Sequence, residues 1–255
     1  MLEIARETYY LYRRNFITWV KMPALVIPSI FISIFLFLVF GASFDGVVSL
    51  PGFPIDDYNA FVTGMIIVQA VVFSGSDAGF ALVTDIASGF FDKQLLAPIN
   101  RMSILFGQLL MAGTRALLQT VVIILVAIAL GVEFKTGVPG IIAIIIVSAG
   151  FGITWSCLGI IIALQSKSAQ ATQASFILFF PLIFLTDAFM PKEFLSGWFK
   201  VAVTINPVTY VLEGIRAMVI SGWDWTPVSH GLWALLGLTV PLVALATWLY
   251  RRSTA

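Results

Sequence analysis

Five ionisable side chains lie inside or beside long apolar runs: Asp77, Arg115, Asp187, Glu213 and Arg216. A charge at the centre of a bilayer costs at least about 2.5–3.5 kcal/mol on insertion scales, so each needs a partner, water or a task. Asp77 falls near one end of one run and Arg115 in the matching half of the next. Antiparallel neighbours of that kind can form an ion pair, and this structural reading is preferred to a proton relay. Glu213 and Arg216 are three residues apart, close to one helical turn, and are expected to pair with each other. Asp187 stands alone, either reaching water or lining a substrate path. Other chemistries are missing. The sequence holds no G-x-x-x-x-G-K-[ST] phosphate loop, no H-E-x-x-H and no G-x-S-x-G, and no nucleophile beside a base. One histidine (His230) and one cysteine (Cys157) exclude a multi-histidine site, an internal disulfide and a cysteine metal cluster. No metal site is expected, and Cys157 reads as a small buried packing residue.

The elements that must hold these charges follow from composition. The 255 residues are 60% hydrophobic and 11% charged, with a mean hydropathy of +1.01. A soluble domain is roughly 45–50% apolar and about 25% charged. Lipid is the natural solvent for this chain, so the expected class is an all-α integral membrane protein. A net charge of +1 gives no reason to expect a nucleic-acid partner. A span needs about 20 mainly apolar residues, and six runs qualify: 23–41, 60–82, 104–130, 139–164, 172–190 and 231–250. With the N-terminus inside, the inner segments hold Arg6, Arg13, Arg14, Lys21, Lys93, Arg101, Lys167, Arg251 and Arg252. The outer segments hold only Lys135, Lys192, Lys200 and Arg216. Both termini are therefore expected in the cytoplasm of a multi-pass cell-membrane protein. The first apolar run is too long, and its basic lead too extended, for a cleaved leader. Trp19, Trp248 and Tyr250 are expected at the inner lipid boundary. Tyr58, Trp198, Trp223, Trp225 and Trp233 are expected at the outer one.

Three segments do not fit a simple span. Residues 1–22 place Leu2, Ala5, Tyr9, Tyr12, Phe16 and Trp19 on one helical stripe, the pattern of a helix lying on the inner leaflet. Residues 83–103, with "DKQLLAPINR" at 92–101, read as a short amphipathic cytoplasmic helix. It groups Asp85, Ser88 and Asp92 on one arc and Ile86, Ala87, Phe90 and Phe91 on another, and stops at Pro98. A plain connector would be shorter and would not need paired phenylalanines. Residues 191–230 are too apolar for a free loop and read as two short helices meeting at Asn206-Pro207, re-entering the outer leaflet. Pro207 suits the first helical turn, and Asn206 or Thr209 suits its cap. Within the fourth span, Ser148, Gly152, Ser156, Gly159 and Ala163 form a small-residue face for close helix packing, within the chain or between two copies.

Two ordered motifs resemble the ABC type-2 permease family, with the closest likeness to drug-export permeases of the daunorubicin-resistance type. The run "DIASGFFDKQLLAPINRMSILFGQLL" is similar to the passage from the second to the third span of that family, through Gly89, Leu95-Leu96, Pro98, Arg101 and Gly107. The run "FPLIFLTDAFMPKEFLSGWFKVAVTINPVTYVLEGIR" is similar to its outer signature, through Pro181, Phe189-Met190-Pro191, Asn206-Pro207, Thr209-Tyr210 and Arg216. The resemblance covers nearly the whole chain and implies one permease domain, 1–255. It implies that 83–103 is a coupling helix docking on a separate ATPase subunit, with Asp85, Gly89, Phe90, Phe91, Leu95, Pro98 and Arg101 carrying the contact. It implies an outer gate built on Asn206, Pro207, Tyr210, Glu213 and Arg216. ATP and Mg would sit on the partner ATPase, with no cofactor in this chain, and two copies of the permease would rock around a shared path. Asp187 departs from the small or hydroxyl residue expected there, which would favour cationic or polar cargo.

The leading expectation is thus the membrane subunit of an ATP-driven exporter of an amphipathic drug or lipid. A permease for lipid-linked polysaccharide or glycolipid is the alternative within that mechanism. An ion-coupled secondary transporter is the alternative of another class, disfavoured because the acids lie near span ends. A membrane enzyme lacks its catalytic residues.

Overall fold

The computed structural model describes residues 2–49, 57–172 and 177–254, and every regular element among them is helical. In chain order these are α1 (Leu2–Val20), α2 (Pro23–Phe44), α3 (Tyr58–Ala87), α4 (Phe90–Leu96), α5 (Arg101–Ala129) and α6 (Gly137–Ser166). They continue with α7 (Ala169–Thr172), α8 (Phe179–Phe184), α9 (Gly197–Ile205), α10 (Pro207–Ile220) and α11 (Trp225–Thr254). Five of them, α2, α3, α5, α6 and α11, are long and apolar enough to cross a membrane. Helices α9 and α10 pass that test only as a pair, bent by 79°. This is an integral membrane architecture with α1 and α4 at one end of the bundle and the α9–α10 bend at the other.

Helix α3 is the axis of the bundle. It is buried on every side over most of its length, against α2, α5, α6 and α10. Two glycines let α6 approach it. A Cβ on Gly75 would stand 3.1 Å from the Gly152 carbonyl oxygen, and one on Gly159 would stand 3.3 Å from the Gly79 nitrogen. The small-residue face of α6 is therefore spent inside the chain: Ser148, Gly152, Ser156, Gly159 and Ala163 are all buried. Helices α2 and α11 flank this centre and leave most of their surface free. One polar link fastens α2, the Gln119 Nε2 of α5 donating to Ser29 Oγ at 2.8 Å.

Three expectations need correction. The fifth expected span, 172–190, is not one continuous helix. Residues 173–176 lie outside the described residues, and the chain leaves helix after Phe184. The cause is local: Thr186 Oγ1 donates to Ile183 O at 2.6 Å and accepts from Ala188 N at 3.1 Å, replacing backbone bonds that would continue the helix. The surface helix is also shorter than 85–98, because Asp85 belongs to the end of α3 and the chain turns at Ser88-Gly89. Gly89 adopts φ 68°, a left-handed conformation that favours glycine. Helix α1 meets α5 through Leu11 and Tyr12, whose hydroxyl accepts from Thr114 Oγ1 at 3.2 Å, and leaves Tyr9 of the stripe exposed. Finally, Tyr250 and Tyr58 are fully buried and serve as core residues, not lipid-boundary anchors. Tyr58 stacks on Phe44 at 5.5 Å and its hydroxyl donates to Phe189 O at 3.3 Å.

The α3–α6 contact makes a direct prediction. A methyl group on Gly79 would overlap the Gly159 backbone, whereas one on Gly237 of α11 would meet open space. Overpacking of this kind costs about 1–3 kcal/mol. In detergent, Gly79→Ala is expected to lower the thermal midpoint by several degrees and Gly237→Ala to leave it unchanged. Equal midpoints would refute the close approach.

Candidate functional site

At the α4 end, seven residues of helix are held from behind and left bare in front. Phe91 is 7% exposed and meets the Tyr250 ring edge-on at 6.1 Å, while Leu95 is half-buried beside the same cluster. Helix α1 braces both ends of the segment. Arg14 donates through Nη1 and Nη2 to the two oxygens of Asp85 at 2.8 and 2.9 Å. Its guanidinium lies 4.0 Å from the centre of the Phe90 ring. Glu7 Oε2 accepts from Asn100 N at 2.9 Å and from Ser103 Oγ at 2.8 Å, where Asn100 caps α5 by accepting from Met102 N. A bidentate guanidinium–carboxylate pair fixes orientation as well as distance.

The expected contact residues thus divide. Asp85, Phe90, Phe91 and Leu95 face the protein and position α4, with Gly89 making the turn. Pro98 and Arg101 face outward. The outward residue missing from the expectation is Leu96, 87% exposed, flanked by exposed Asp92 and Lys93. A signal for it existed: Phe91 and Leu95 are four apart on one helical face, so Leu96, about 100° further round, must leave that face.

The opposite end is organised around Arg216 and Asn206. Arg216 is buried and uses four bonds. Nε donates to Phe61 O at 3.1 Å, Nη1 to Asp187 Oδ2 at 2.8 Å, and Nη2 to the carbonyls of Asp187 and Ala188 at 3.0 and 3.3 Å. Its plane covers the Phe61 ring at 3.7 Å. Asn206 caps α10 by accepting from Val208 N at 3.0 Å, and donates to Leu182 O and Leu185 O at 2.6 and 2.8 Å. Pro207, lacking an N–H, occupies the first position of α10. The Tyr210 hydroxyl donates back to Thr204 O at 2.7 Å, bracing the bend.

The expected Glu213–Arg216 pair does not form. Glu213 bonds Lys192 at 2.7 Å and Arg216 bonds Asp187 instead. An i,i+3 pair is worth only about 0.2–0.5 kcal/mol, whereas a buried guanidinium requires acceptors for most of its five donors. Asp187, Lys192, Glu213, Arg216 and His230 line a cavity of about 380 Å³. Asp187 is 4% exposed and its charge is matched by Arg216, so it shapes the cavity wall more than it offers a free acid. Near the α4 end, Arg115 Nη1 stands 4.0 Å from Asp77. No group of three or more His, Cys, Asp or Glu suited to a metal occurs among the described residues.

A family model described as ABC-2 type transporter matches residues 6–220 of this chain. The chain belongs to the ABC-2 type transporter family. It is 26% identical over 234 residues to the daunorubicin resistance ABC transporter permease protein DrrB1 of Streptomyces coeruleorubidus, across 90% of this chain and 79% of that one. It is 27% identical over 227 residues to the putative transport permease ycf38 of Porphyra purpurea, across 88% and 77%. It is 22% identical over 193 residues to the probable doxorubicin resistance ABC transporter permease protein DrrC of Mycobacterium tuberculosis, across 76% and 70%. An ABC-2 permease is the membrane subunit of an ABC exporter. It has no ATPase domain of its own and works with an ABC ATPase subunit.

The buried ion pair can be tested by its asymmetry. Arg216→Met leaves Asp187 buried without a counter-charge and is expected to cost about 3–5 kcal/mol. Adding Asp187→Asn should recover a substantial part of that loss. Chemical denaturation of the solubilised protein measures both. Failure of the second change to recover stability would show that the pair is not the stabilising unit.

Proposed function

We propose that this chain exports an amphipathic drug-like or lipid-like molecule, with two copies of the permease working with two ATPase subunits that bind ATP and Mg. The observation that carries the proposal is Leu96: a large apolar side chain almost fully exposed on a helix braced from behind by Phe91 and from the sides by α1. A bare leucine on a rigid mount is what a partner's apolar groove would grip, since exposed large side chains on fixed elements act as anchors. In this reading α4 and both termini lie in the cytoplasm, as the distribution of Lys and Arg supports, and α4 is the coupling helix. Pro98 and Arg101 would rim the contact. Asp85, Phe90, Phe91 and Leu95 would transmit displacement into α1, α3 and α11.

The α9–α10 bend would then be the outer gate, a re-entrant pair standing over the cargo's exit. Arg216 and Asn206 hold its hinge, and the Lys192–Glu213 bridge lines the same cavity as Arg216. Asp187 acts in this scheme by fixing Arg216. Apolar and partly polar walls suit an amphipathic cargo, and the two relatives named for daunorubicin and doxorubicin resistance support the drug-like class.

Co-purification with the ATPase subunit in mild detergent tests the docking site. Leu96→Asp is expected to reduce the retained ATPase at least about tenfold, the size of one lost apolar anchor, while the permease stays monodisperse. Phe91→Ala is expected instead to lower the permease's own thermal midpoint. Full retention of the ATPase by Leu96→Asp, with export unchanged, would refute α4 as the coupling helix.

A further inference from the structure

A second cavity, of about 130 Å³, lies between α1, α3 and α5 near the α4 end. It is far larger than the roughly 10–15 Å³ that a single water requires. Two residues of its lining carry buried polar atoms without a hydrogen-bond partner, Arg115 Nε and Gln108 Oε1. Arg115 is 7% exposed, and its one charge contact among the described residues, Asp77 at 4.0 Å, is too long to be a hydrogen bond. Asp77 also lines the cavity, with 38% of its side chain accessible. The neighbouring Arg14 and Asp85 are already satisfied by each other. What the cavity lacks is therefore specific: an acceptor for Arg115, and N–H donors for Gln108 and Asp77. Buried guanidinium donors left unmade carry a large desolvation cost.

Water could supply such groups, but the rim argues for a larger occupant. Trp19, Met22 and Phe80 line the cavity, and Met22 and Phe80 are exposed beside it. An apolar rim around a charged floor, beneath a surface helix, fits a molecule whose polar head enters while its tails remain in lipid. We propose that the α1–α3–α5 cavity binds the headgroup of a phospholipid that carries a primary ammonium two carbons from a phosphate diester, as in phosphatidylethanolamine. The phosphate oxygens accept from Arg115, and the ammonium donates to Asp77 and Gln108 Oε1. A trimethylammonium headgroup has no N–H for Gln108, and phosphatidylglycerol has no cation for Asp77, so both leave part of the floor unsatisfied. The cavity shares Arg14 and Asp85 with the brace of α4 but not Leu96, shares no residue with the α9–α10 cavity, and requires no transport step.

The full-length permease, delipidated in detergent, can be titrated with phosphatidylethanolamine, phosphatidylcholine or phosphatidylglycerol in mixed micelles and its bound lipid counted by native mass spectrometry. Phosphatidylethanolamine is expected to bind at least about tenfold more tightly than either competitor, the worth of one charge-assisted hydrogen bond. Asp77→Asn should remove most of the preference over phosphatidylglycerol, Gln108→Leu should bring the ethanolamine-to-choline ratio near one, and Arg115→Lys should weaken all three lipids together. Equal binding of the three lipids by the unaltered protein overturns the proposal, whatever the variants do. Displacement of bound lipid by free O-phosphoethanolamine at similar concentration would assign the site to a soluble zwitterion and overturn the lipid assignment.

Discussion

Backbone N–H and C=O groups cannot be left unpaired in hydrocarbon, and this chain meets that constraint at the break after Phe184. After Phe184 the helix stops, and the carbonyls of the following residues lose their helical donors. Arg216 supplies donors to the carbonyls of Asp187 and Ala188, while Asn206 supplies them to Leu182 and Leu185. Both donors belong to α10, Asn206 as its cap and Arg216 further along the helix, so the unwound segment and the bent pair hold each other. Irregular backbone is tolerated at such depth only inside protein or beside a polar cavity, and here it has both. Asp187 of this unwound stretch lines the cavity of about 380 Å³ together with Arg216.

The other end of the bundle obeys a different demand, rigidity. A seven-residue helix has almost no stability of its own, so α4 is defined by what it leans on. Phe91 wedges it against Tyr250 of α11, and Arg14 and Glu7 of α1 tie its two flanks. A push on Leu96 would reach α1, α3, α5 and α11 together. Such an arrangement passes displacement into the bundle instead of dissipating it in a loop. In the proposed function, that is how a motor docked on α4 would move the bundle.

Apolar length was the feature most legible in the sequence. The runs at 23–41, 60–82, 139–164 and 231–250 lie within helices, and 104–130 overruns its helix by one residue, because hydropathy reports the bilayer directly. The bend at Asn206-Pro207 was legible too, since a cap residue before a proline marks a helix start. What escaped were choices among partners. Glu213 and Arg216 have the right spacing to pair, yet Asp187 and Lys192, distant in sequence, offer better geometry. Tyr250 looked like a boundary anchor because nothing near it in sequence reveals Phe91 opposite. The split of 83–103 into outward and inward residues needed the left-handed turn at Gly89, which shifts the register of α4 relative to α3.

The central claim is that Leu96 lies on the cytoplasmic face and is covered by an ATPase subunit. Cys157 is buried, so with that residue replaced, Leu96→Cys offers one reactive thiol to a membrane-impermeant maleimide. The expected result is no labelling in intact cells, strong labelling in inverted vesicles stripped of the ATPase, and protection when the ATPase is restored. Labelling of Leu96→Cys in intact cells would place α4 on the outer face and contradict the account.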